Sequence, residues 1–257
     1  MKISNHFIKA SNDLCDFDNH VPAPYIRKKF SLDFQPTNAE ITICGLGFYE
    51  LYINGVQVTK GPLAPYISNP DDVCYYDNYK IHHLLQKGDN VIGIILGNGF
   101  RNAFGGLVWD FDKAPCRGVP TVALCLEAFC RGDYFTLEAD TSFKVHPSPV
   151  LFDDLRMGCQ YDARKEITDW NMPDYDDSGW KNALPETTPK GLAKLCEADP
   201  IVVTDTIYAT EITHHEQFPY CYESSAVGAA PMQSSIIKDV YIYDFGINGA
   251  GVTKLKI

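Results

Sequence analysis

Side chains that could do chemistry are few in this sequence, and few of them stand at productive spacing. The acidic doublets Asp71-Asp72, Asp153-Asp154 and Asp176-Asp177 could supply paired carboxyls for glycoside hydrolysis or oxygen ligands for calcium. Glycosidase carboxyls must face each other across a bond at roughly 5–9.5 Å. Adjacent acids more often cap turns, so no catalytic residue is assigned among them. Calcium at a doublet is the one cofactor left open; no other cofactor or metal is expected. Ser178 sits in an acidic turn without a neighbouring histidine, and no G-x-S-x-G elbow occurs. His82-His83 and His214-His215 are sequence neighbours, which a strand would point to opposite faces. The nine cysteines are scattered, with no C-x-x-C pair for zinc, and read as reduced thiols. Gly45-Leu-Gly47, Gly97-Asn-Gly99 and Gly246 to Gly251 lie between strands and open no helix, so they read as turns rather than phosphate cradles.

One stretch has the mixture that binds sugar, an aromatic platform beside planar polar groups. Asn98, Arg101, Trp109, Asp110 and Asp112, with Phe100 and Asn102 among them, lie in a loop between two apolar strands. Loops on a rigid sandwich are where binding residues concentrate. Against this stands a structural role, in which the aromatic residues fold over the end of the sandwich.

The elements that must position this loop are short strands. Glu40 to Cys44 alternates, and Phe48 to Ile53 meets Val56 to Val58 across Asn54-Gly55, a pair whose tolerance of positive φ marks a hairpin. Further strands are predicted at Val73 to Tyr76, Val91 to Leu96, Thr121 to Phe129, Tyr134 to Ala139 and Phe143 to His146. Lys80 to Gln86 is expected to form a helical turn or two. Asp176 to Trp180 reads as a capped turn burying a tryptophan. No amphipathic run before residue 150 is long enough for a major helix. The fold class is therefore all-β, an antiparallel β-sandwich followed by strands of a second β-domain. Residues 1–20 are expected to be an N-terminal extension, 21–184 the sandwich, 185–200 a linker and 201–257 the incomplete second domain. In that last part, strands are predicted at Ile201 to Ile212, Val240 to Phe245 and Val252 to Ile257, with a loop from His214 to Ser235.

Composition narrows the partners. In 257 residues, 22 Lys+Arg against 33 Asp+Glu give a net charge of −11, which disfavours nucleic acid and anionic membrane surfaces. The first residues lack the apolar run of a signal peptide and no stretch reaches 18 apolar residues, so a cytoplasmic location is expected.

Five blocks then stand in a telling order: Gly45 to Gly55; Gly61-Pro62-Leu63-Ala64-Pro65; Lys87 to Gly93 with Leu96 to Phe100; Gly158 to Arg164 with Trp170 and Asp176 to Trp180; and Tyr243 to Gly251. Together they resemble the N-terminal β-sandwich of bacterial α-L-rhamnosidases and the start of the β-domain that follows it, over about residues 22 to 257. The resemblance implies a jelly-roll, galactose-binding-like sandwich. It also implies a whole enzyme that removes terminal α-L-rhamnose from glycosides with inversion, through two glutamates in a downstream α/α barrel. The chain stops within a strand pattern at Lys254 to Ile257, so it is expected to be the front of such an enzyme, truncated before the barrel and inactive alone. Rhamnose-containing glycosides and the downstream catalytic domain are then the expected partners, with a homo-oligomer possible through bared surface. A free-standing lectin-like module is the alternative. Where the family usually has glutamate this chain has Cys159, which removes a carboxylate that would face Arg164; Ile247 and Val252 depart as well.

Overall fold

The computed structural model describes residues 3–16, 18–103, 113–154, 158–222 and 233–254, without side-chain detail at 220–222 and 233–235. Seventeen strands follow one another in the described residues. The first seven are β1 (Phe7–Lys9), β2 (Pro24–Leu32), β3 (Asn38–Leu46), β4 (Phe48–Ile53), β5 (Val56–Gln57), β6 (Val73–Lys80) and β7 (Gly88–Gly97). Next come β8 (Thr121–Cys130), β9 (Asp133–Glu138), β10 (Lys144–Pro147), β11 (Val150–Asp154), β12 (Gly158–Tyr161) and β13 (Lys181–Asn182). The last are β14 (Leu184–Glu186), β15 (Leu192–Leu195), β16 (Glu211–Tyr222) and β17 (Gln233–Asp244). The chain divides into two compact units, the described residues up to Ile201 and those from Val202 onward.

The first unit is the expected two-sheet sandwich. One sheet runs β14-β1-β8-β3-β6-β15, with β9 also on β8; the other runs β13-β10-β2-β7-β4-β5. Period-2 alternation explains the pairing of faces: Leu51 and Ile53 of β4, Ile92 and Ile94 of β7 and Ile26 of β2 turn inward. They meet Ile41 and Ile43 of β3 and Leu124 and Leu126 of β8 in one buried cluster. Asn54 (φ 48°) and Gly55 (φ 83°) make the predicted two-residue turn, with Tyr52 opposite Gln57. The predicted helical turn contracts to a 3₁₀ turn at His82–Leu84, where the two histidine rings stand edge-on at 5.5 Å.

The second sheet is covered on its outer side. Gly93 of β7 makes room, because a Cβ there would lie 2.9 Å from the Trp170 ring. Trp170 stacks on Tyr25 at 4.2 Å, and Trp180, buried as expected, stacks on His146 at 5.0 Å. Arg27, fully buried on β2, fastens this layer: Nε donates to Trp170 O (2.8 Å), Nη2 to Met172 O (2.8 Å) and Tyr175 O (3.2 Å), and Nη1 pairs with Asp177. Asp176 Oδ1 accepts Ser178 N at 2.9 Å, so this acidic doublet serves a cap and an ion pair.

Several local expectations are overturned. Residues 185–200, read as a linker, supply part of β14 against β1 and all of β15, which lies parallel to β6. The extension before residue 20 supplies β1. In the second unit, residues 201–209 form no strand, whereas the supposed loop from His214 holds most of a twelve-residue antiparallel ladder, β16 with β17. Among the described residues, successive positions of β17 such as Ile236 and Ile237 are both exposed, so the ladder lacks the apolar alternation by which a strand is recognised. Ile236 and Tyr241 are accordingly exposed beside polar neighbours. Residues 252–254 form no strand, and 255–257 lie outside the described residues.

Candidate functional site

Four connections meet at one end of the sandwich: the β3–β4 turn, the segment 65–70, the loop after β7 and residues 114–118. The β3–β4 turn is tight because Gly47 has φ 126°, and a Cβ there would fall 2.4 Å from Gly97 O. Only glycine allows both that conformation and that approach. Between the connections lies a cavity of about 170 Å³ whose lining includes Phe48, Pro65, Tyr66, Tyr75, Phe100 and Arg101, with Cys116 beside Arg101. Phe48 and Phe100 meet edge to face at 6.2 Å, as do Tyr66 and Tyr75 at 6.1 Å. Tyr66 is 61% exposed and forms the rim.

The candidate sugar-binding residues separate. Arg101 lines the cavity, with Nη1 donating to Cys116 O at 2.7 Å. Trp109, Asp110 and Asp112 lie outside the described residues. Asn98 is not available to a ligand: it is 1% exposed and its side chain is fully engaged. Nδ2 donates to Val21 O (2.8 Å) and Asp153 Oδ2 (3.0 Å), while Oδ1 accepts from Asn102 Nδ2 (2.9 Å). Asn102, also buried, accepts Cys15 N at 3.0 Å. These amides tie the chain before β2 beneath the loop. A buried amide must find partners, and here the fold supplies them.

Asp153 belongs to the same network. Its Oδ1 accepts Asn98 N at 2.7 Å and Gly99 N at 3.4 Å. Burial nevertheless pushes its carboxyl above the ordinary value of 3.8, against the pull of these donors. The folded state therefore holds the proton more tightly than the unfolded one. Asp153's contribution to stability is greatest at low pH and declines as pH rises through its raised folded value. Asp153→Asn cannot ionise, so the wild-type advantage over it in urea midpoint is expected to shrink as pH rises through the raised folded value. An advantage that grows with pH would contradict this assignment. Asp71-Asp72 likewise serves a turn, with Asn69 Nδ2 donating to Asp72 Oδ2 at 2.8 Å.

Sequence reasoning missed a buried polar cluster within the sandwich. Asp77, 2% exposed, binds Tyr49 Oη (2.5 Å) and Lys60 Nζ (2.7 Å), and Lys60 Nζ also donates to Cys196 O at 3.1 Å. Burial, with Tyr79 and Asp77 adjacent, lifts the Tyr49 phenol well above its usual value, so it stays a donor to Asp77. The only sequence signal was an acid within the β6 run. Arg164, whose carboxylate partner in the resemblance is replaced by Cys159, forms two 2.8 Å bonds to Asp162. The described cysteines with placed side chains are all free thiols. No helix among the described residues is long and apolar enough to cross a membrane.

Residues 35–205 match the family described as the α-L-rhamnosidase N-terminal domain. An α-L-rhamnosidase of Formosa agariphila is 39% identical over 173 residues, 65% of this chain and 18% of its own length. One from an Alteromonas species is 25% identical over 237 residues, 91% of this chain and 23% of its own. The chain thus spans about a fifth of these curated relatives. Among solved structures, the α-L-rhamnosidase of Dictyoglumus thermophilum superposes with a TM-score of 0.70 at 30% identity, over 81% of this chain and 24% of that one. The Aspergillus terreus enzyme shares the fold, with a TM-score of 0.66 at 22% identity, over 86% of this chain and 24% of that one.

Proposed function

The chain belongs to the α-L-rhamnosidase N-terminal domain family, and from that premise we propose that it is the non-catalytic β-region of an enzyme removing terminal α-L-rhamnose from glycosides. The carrying observation is the family match over residues 35–205, in relatives of which this chain corresponds to about a fifth. Hydrolysis then belongs to a catalytic domain elsewhere in the whole protein, and this region packs against it and lends the end-of-sandwich cavity to the saccharide. The engaged acids fit that division of labour: Asp72, Asp153, Asp176 and Asp177 all serve turns, amides or ion pairs within the sandwich. The partners are rhamnose-containing glycosides and the catalytic domain, with self-association through the exposed apolar residues of β16 and β17. The free thiols suit a reducing, cytoplasmic location.

A lectin-like module is the second reading, favoured by the aromatic cavity bearing Arg101. The 257-residue chain is expected to release no rhamnose from an aryl α-L-rhamnoside above the buffer rate. Release well above it would sink the non-catalytic assignment. Calorimetry with L-rhamnose, with and without calcium, then separates the readings, since a lectin module requires saturable heat. Absence of both heat and a melting shift would leave the packing role alone.

A further inference from the structure

We infer that the cavity at the end of the sandwich is a subsite for a carboxylate-bearing sugar ring, a uronate, selected by Arg101. The inference rests on the reading above in one respect, that this cavity faces saccharide. The guanidinium lies close against Gly118, where a Cβ would stand 2.9 Å from Nη2; glycine lets it settle onto the backbone. Of its five N–H donors, one is used by Nη1 on Cys116 O. Nε is buried without a partner, and no carboxylate pairs with this guanidinium, among the described residues. A half-buried cation without a counter-charge among the described residues is unfavourable, and a carboxylate that accepts from the N–H donors left on its Nη atoms relieves it.

The walls specify the rest of the ligand. Phe48, Phe100 and the exposed Tyr66, which line the same cavity as Arg101, supply aromatic surface suited to the C–H face of a pyranose. At about 170 Å³ the cavity is smaller than the roughly 300–1,000 Å³ of sites for drug-sized molecules, so it takes one ring. The net charge of −11 offers no long-range attraction for an anion, which makes the selection local to Arg101.

The test is calorimetry on the 257-residue chain with D-glucuronate, its methyl ester, D-glucose and acetate. Glucuronate is expected to bind at least tenfold more tightly than the ester, glucose or acetate. Arg101→Gln should abolish that preference while Arg101→Lys keeps part of it, and Tyr66→Ala should weaken every sugar. Equal affinity for glucuronate and its ester overturns the inference, as does acetate binding as well as glucuronate. A preference that survives in Arg101→Gln overturns it too. Should that variant fail to fold, the Arg101 Nε–H resonance of the wild-type chain must shift with glucuronate and not with the ester. If neutral sugars bind through Tyr66 without preference for the acid, the saccharide-facing reading stands and the uronate inference falls. If no sugar binds, both fall.

Discussion

Replacing Arg27 with methionine is expected to destabilise the sandwich by about 3–5 kcal/mol, the usual cost of removing one partner from a buried ion pair. Methionine preserves most of the stem volume, so the loss isolates the guanidinium. Without it, Asp177 loses its counter-charge, and the carbonyls of Trp170, Met172 and Tyr175 lose their donor. The layer over the second sheet should loosen with it. A red-shifted tryptophan emission from Trp170 and Trp180 should accompany the fall in urea midpoint. Lysine should rescue little, because a single ammonium cannot reproduce the planar fork that reaches four partners. A cost below about 1 kcal/mol would mean that ring packing, which offset-stacked pairs supply at ~0.5–1.5 kcal/mol each, holds the layer without the arginine.

Asn98→Ala is expected to cost about 3 kcal/mol, since each buried polar group left unpaired costs ~1–3 kcal/mol. Val21 O and one Asp153 oxygen lose this donor together, and the Asn102 amide is left with only the longer bond to Asp13 O at 3.4 Å. This separates two roles that the residue type alone does not. A residue that only contacts sugar could be removed with stability intact. A residue that joins the loop to Asp153 and Val21 cannot, and its loss should lower the urea midpoint in the absence of any ligand. An unchanged midpoint would return Asn98 to the ligand-binding residues. Arg101→Gln, on the same loop, should melt close to wild type, because its guanidinium holds one backbone carbonyl and no carboxylate among the described residues.

The contrast between Asn98 and Arg101 shows where sequence reading stops. Both are polar residues in a loop bounded by apolar strands, and both looked suited to a sugar hydroxyl. What separates them is a partner 55 residues along the chain, Asp153, and another 77 residues back, Val21. Asp77 and Lys60 were equally invisible as a pair, for nothing in an alternating strand announces that its acid turns onto a loop lysine.

Features whose cause is local were legible. Asn54-Gly55 turns because both residues accept positive φ, whatever surrounds them. The inward rows of Leu51 and Ile53, Ile92 and Ile94, and Ile41 and Ile43 follow from the period of two and required two facing sheets. Aspartate and glycine around Trp180 determined a capped turn before any contact was known. Ordered blocks of turn and strand residues pointed to the family for the same reason.

Tertiary structure alone decided which polar groups are consumed and which remain. It buried Arg27 beneath the outer layer of the second sheet to hold a loop some 145 positions away, engaged Asn98 and the acids in turns, amides and ion pairs, and left Arg101 at a cavity. It also paired β16 with β17, where successive exposed positions give the sequence no apolar period to show. A polar side chain has the same donors and acceptors in either role. Its role is fixed by which distant group the folded chain brings within 3 Å, and that distance is a property of the packing, not of the residue.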